Sequence, residues 1–217
     1  MSNYLKSIFL ILILSACSTS QPENKWQHEA ATMCKNYQLH FLQDKTVRAS
    51  LDLSHARELA TRSANFKPLI DIELTACAME VSALNPSQCE RASKLLVLES
   101  NQEQQAYLHL LSSQLQEDEI KYLPQQYRDF AQFLLTDDHH AINQEVSTMQ
   151  PLSSKLVASA LSKDILNDDT IETLIQDLSF KGYKKPLVSW LRLQMQKEED
   201  EEEKSRLKAK IDVLTFD

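Results

Sequence analysis

Cysteine offers the widest chemistry in this chain. Four occur, at Cys17, Cys34, Cys77 and Cys89, and a thiol can be oxidised to a disulfide, act as a nucleophile or carry a modification. The densest group of metal-ligand types is Asp137-Asp138-His139-His140. Neighbours on a helix point about 100° apart, so these four do not converge on one ion, and no His-x-x-x-His pair accompanies them. A helix start with acidic residues near its positive end accounts for them. The run Glu198-Glu199-Asp200-Glu201-Glu202-Glu203 lies between Lys197 and Lys204. It reads as a solvated surface, relieved by Asp200 with Lys204 and Glu202 with Arg206, each four apart. A calcium loop would need a glycine there. No Gly-x-Ser-x-Gly elbow and no marked carboxylate pair is present. The expectation is a protein without catalytic residues, metal or cofactor.

Cys17 stands apart from the other three cysteines. It ends Leu14-Ser15-Ala16-Cys17, which follows the apolar run 8–14 and a lone Lys6. That run is far shorter than the roughly 20 residues of a spanning helix. The order resembles a bacterial lipoprotein signal, in which a lipobox ends at the cysteine that is acylated after cleavage. The resemblance implies that residues 1–16 are removed, that Cys17 carries lipid and that 17–24 form a polar tether. It also implies three acyl chains. Ser18, standing where an aspartate would retain the protein at the inner membrane, implies the outer membrane, facing the periplasm.

An exported compartment is oxidising, so one disulfide among Cys34, Cys77 and Cys89 is expected, with one thiol left over. Cys34 and Cys77 sit at similar heights in the first and third expected helices, which would run parallel. Cys77 and Cys89 flank a turn near Asn85-Pro86 at unequal distances, a mismatch of roughly 7 Å at helical rise. Cys34–Cys77 is therefore the expected bridge. Cys89, near a helix start that favours a thiolate, is then the spare thiol. A Cys77–Cys89 bridge stays open, and three buried thiols are the further alternative.

These residues are positioned by helices. The chain has 217 residues, 42% of them hydrophobic, and a single glycine, Gly182. That composition is globular, and it excludes phosphate-cradling loops, dinucleotide fingerprints and tight hairpins. Apolar residues recur at spacings of three and four over 23–44, through Trp26, Ala30, Met33, Tyr37 and Phe41. Further helices are expected over 52–65, 67–84, 85–99, 102–116 and 118–135, the last interrupted by Pro124. Others follow over 137–150, 151–166 and 167–181, the last stopped by Gly182, and from Pro186 through Trp190 to the C-terminus. No fixed period and no tetratricopeptide signature recurs. The fold class expected is all-α, an irregular antiparallel helical array (a repeat-like solenoid or bundle) without a sheet, over residues 25–217.

A net charge of −8 makes nucleic acid an unlikely partner, and it would be repelled by anionic lipids, leaving the acyl anchor as the membrane attachment. Pro68-Leu69, Cys77-Ala78 and Pro86-Ser87-Gln88 resemble a segment of the QseG-type outer-membrane lipoproteins, with Cys34 at their earlier cysteine. Those proteins work with a sensor histidine kinase, so the resemblance implies a protein-binding regulator. The downstream sequence departs from that family, with no long coiled coil. The function expected is a lipid-anchored helical adaptor that binds another envelope protein. The alternatives are an immunity lipoprotein that neutralises a toxin, or a pilotin-like escort of a secretion or pilus subunit.

Overall fold

The computed structural model describes residues 24–85, 89–99 and 101–216. The apolar run, the lipobox, Cys17 and all of the tether but Asn24 lie outside them. Among the described residues there are eleven α-helices and no strand. They are α1 (Lys25–Leu42), α2 (Thr46–Ala60), α3 (Lys67–Ser82), α4 (Glu90–Leu96), α5 (Gln102–Leu111), α6 (Arg128–Leu135), α7 (His139–Thr148), α8 (Leu152–Leu161), α9 (Asp168–Lys181), α10 (Lys184–Lys197) and α11 (Glu201–Thr215). Short 3₁₀ helices at Glu117–Tyr122 and Gln125–Tyr127 lead into α6. The chain is all-α, as its composition demands. No described helix is long and apolar enough to cross a membrane.

Five helices stop in the same way. After α1, α3, α5, α6 and α9 one residue turns into the left-handed region: Asp44, Leu84, Ser113, Asp137 and Gly182. The amide of the next residue then reaches back to a carbonyl in the last turn: Lys45 to His40, Asn85 to Glu80, Gln114 to His109, Asp138 to Phe133 and Tyr183 to Leu178. This is the Schellman stop, which glycine usually serves. Only the last has its glycine. The others satisfy the same orphan carbonyls while carrying the strain of a Cβ at positive φ.

These stops explain where the expected boundaries move. The stop at Asp44 lets α2 begin at Thr46 rather than at 52. The stop at Ser113 ends α5 at Leu111, and Leu115, still buried, belongs to the connector. Pro124 breaks the expected sixth helix into two 3₁₀ turns and α6, because it has no N–H to continue the ladder.

α3 sits at the centre and packs on α1, α2, α4, α5 and α8. α10 packs on α9, on α11 and back on α1, so the array closes on itself. One hydrophobic core runs from Tyr37 and Phe41 through Ile70, Phe130 and Leu156 to Trp190 and Ile211, on both sides of Pro151. A small satellite core of Ala30, Ala56, Leu59, Ala60, Leu69 and Ile72 joins α1, α2 and α3. Trp190 is fully buried, and Tyr183 lies partly buried against the main core.

Candidate functional site

The structure re-pairs the cysteines. The bridge is Cys77–Cys89, with Cα atoms 5.3 Å apart, and not Cys34–Cys77. The 7 Å mismatch assumed helical rise on both sides of the turn. Cys89 is not inside a helix; it flanks the start of α4 at φ 48°, and Leu84 and Asn85 likewise lie outside any helix. Because α4 begins only at Glu90, the height of Cys89 is not set by helical rise from Asn85, and the assumed mismatch does not apply. Asn85-Pro86 does not cap α4, which begins at Glu90. The leftover thiol is Cys34. It does lie against α3, as expected, but faces Thr75 and Asp71 instead of Cys77, and burial raises its pKa.

The other candidates resolve into structural roles. Asp138 caps α7 by accepting from the Ala141 amide at 3.0 Å, and Asp137 meets His139 at 3.0 Å on the surface. No group of three or more possible metal ligands forms among the described residues. In the acidic run Asp200 caps α11, accepting from the amides of Glu202 and Glu203. Lys204 therefore pairs with Glu201 rather than Asp200, while the Glu202–Arg206 pair forms at 2.6 Å. Beside the disulfide, Arg57 donates twice at 2.7 Å to buried Glu73, which Arg91 also approaches at 3.2 Å. These charges are mutually satisfied, so they join α2, α3 and α4 rather than await a ligand.

An apolar surface lies between α9 and α11. α9 buries Ile171, Leu174 and Leu178, and α11 buries Leu207 and Ile211. Both pack on α10, and between them lies a groove of about 1010 Å³. Its floor is Leu187 and Leu191 of α10, and its walls are Ile175 and Phe180 on α9 and Val213 and Leu214 on α11. Phe180 is 86% exposed and Val213 77% exposed, and Phe216, just past α11, is 86% exposed.

The charged residues lining this groove are Arg206 and Lys210, with no acid among them, in a chain of net −8. Arg206 is shared with Glu202 and Glu203; Lys210 has no ion pair among the described residues. Lys181 adds a third cation, 5.8 Å from the centre of the Phe180 ring.

No protein-family model, curated protein or solved structure matches this chain. The groove therefore has to be read from its own chemistry. It is long enough for about two helical turns along α11, with small Ser179 and Ala209 leaving room for a neighbour's backbone or large side chains. Exposed contiguous apolar surface with a polar rim marks an interaction site on soluble proteins.

The sequence reading placed helices over 167–181 and from Pro186 to the C-terminus but did not find the groove between them. The signal was present: Phe180 and Val213 are large apolar residues off the buried stripe of their helices, and Phe216 follows directly after α11.

Proposed function

We propose that this chain is an acylated adaptor, tethered through Cys17 and facing the periplasm, that holds an amphipathic helix of another envelope protein in the groove between α9 and α11. It is a binding protein in this reading and not an enzyme. The observation that carries it is the exposed apolar surface of Phe180 and Val213 on the groove walls, beside Lys210. An apolar helix face at i, i+3, i+4 and i+7 fits such a groove, and acidic residues beside that face would meet the basic rim. The acyl anchor would restrict the search for a membrane-bound partner to the surface.

Photocrosslinking in cells tests it, with a crosslinking residue at Ser179 or Ala209 and the adduct mapped by mass spectrometry. The expected adduct is an amphipathic helical segment with acids flanking its apolar face, lost in Val213→Glu. Adducts to a second copy of this chain or to lipid alone, or no adduct, would refute the groove's assignment. The anchor is tested separately. A palmitate analogue should label the wild type and not Cys17→Ser, and equal labelling of both would remove the tether while leaving the groove standing.

A further inference from the structure

A second cavity, of about 490 Å³, opens between α3, α5 and the 3₁₀ segment that leads into α6. One side is apolar, made by Leu74, Tyr107 and Leu123. The other is charged and unbalanced, with Lys67, Lys121 and Arg128 against Asp71 and Glu103. Both carboxylates already have partners. Asp71 accepts from Gln104 Nε2 at 2.6 Å, and Glu103 lies 4.0 Å from Lys67 Nζ. Lys121 and Arg128 have no ion pair among the described residues.

Arg128 is held in place without being neutralised. Its Nε donates to the Leu123 carbonyl oxygen at 2.9 Å, which orients the guanidinium and leaves its terminal nitrogens for an acceptor. The Lys121 ammonium lies 4.9 Å from the centre of the Tyr122 ring. Buried Gln104 donates through Nε2 to Lys67 O as well as to Asp71, and its Oε1 has no hydrogen-bond partner. The guanidinium fork matches a carboxylate, and a doubly charged phosphate would be opposed by Asp71 and Glu103.

We infer that this cavity binds an organic carboxylate with an apolar or aromatic body, its anionic end held by Arg128 and Lys121 and its body lying on Tyr107 and Leu74. The carboxylate can come from a peptide C-terminus or from a small acid. The full chain in detergent is titrated calorimetrically with N-acetylphenylalanine, with N-acetyl-Ala-Ala-Phe and with the amide of each. Both acids should bind, and their amides about tenfold more weakly. Arg128→Gln and Lys121→Gln, both surface changes, should each weaken the acids by about tenfold and leave the amides unchanged. Tighter binding of the tripeptide assigns the site to a peptide end, and equal binding to a small acid. The inference is overturned if amides bind as well as acids, if both variants bind like wild type, if inorganic phosphate is preferred, or if neither acid binds at millimolar concentration.

Discussion

Cys77 and Cys89 close a loop spanning 12 positions, with both sulfurs buried in the main core. A loop of this size restricts the unfolded chain by about 3 kcal/mol. Replacing both by serine should lower the melting temperature by about 5–10 °C, read by calorimetry, and a non-reducing peptide map should show Cys34 as the unbridged thiol of the three, alkylated more slowly in the folded chain than in the unfolded one. Glu73 is the other residue on which much depends. It is 4% exposed and faces two guanidinium groups. Glu73→Gln should cost about 2–3 kcal/mol in urea unfolding, because partly buried Arg57 loses its counter-charge. Arg91→Gln should cost under about 1 kcal/mol, since Arg91 is 66% exposed and its pair is screened. Residue types at these positions were legible in the sequence, but their partners were not. Cys77 lies in the third helix as expected; which thiol it met depended on where α4 begins, which no periodicity records.

Helix faces were the most legible part of the molecule, and helix ends the least. Ala30, Tyr37 and Phe41, then Leu69, Ile70 and Leu74, are buried as their three-and-four spacing predicts. The stop at Gly182 was readable because glycine announces a left-handed residue. The stops at Asp44, Leu84, Ser113 and Asp137 carry no such mark, which is why α2 and α5 were misjudged at the very ends those stops control. Strain at these positions can be measured. Ser113 is exposed at φ 57°, with no side-chain bond that glycine would forfeit. Ser113→Gly should therefore stabilise the fold by about 1 kcal/mol, the Cβ strain outweighing the greater freedom of the unfolded glycine. Gly182→Ala should do the reverse by a similar amount, since its new Cβ would meet nothing within 4 Å and only backbone strain changes. Equilibrium unfolding of the two variants reads both signs. The groove has the same lesson. Val213 and Phe180 are apolar by type, but a sequence cannot say whether an off-stripe residue meets a neighbour or water.

At the scale of the whole molecule, closure of the array brings the start of α10 against the α1–α2 turn. The Lys185 ammonium lies 4.1 Å from the centre of the Phe41 ring, and Lys184 lies 3.9 Å from Asp44, so α10 holds the α1–α2 turn. Beside this contact Tyr37 is buried, and its pKa is pushed well above the ordinary value, by desolvation first and then by Glu80. Burial raises Tyr107 and Tyr127 as well, and the Cys34 thiol with them. All four groups share one sign. Each is an acid that the fold keeps protonated, so its contribution is complete below the unfolded pKa, 9.0 for the thiol and 10.0 for the phenols. Above those values the unfolded chain binds fewer protons than the native one, and stability falls as pH rises towards the folded pKa. Each group adds up to about 1.4 kcal/mol of lost stability per pH unit. Urea unfolding at successive pH values should give a flat profile for these groups up to about pH 8 and a steepening decline beyond pH 10. Tyr37→Phe should remove one group's share of that slope while keeping the ring against Phe41, which it meets at 5.8 Å between centroids. An unchanged alkaline slope in this variant would mean that Tyr37 ionises as freely in the folded chain as in the unfolded one, and that α10 does not seal it from water.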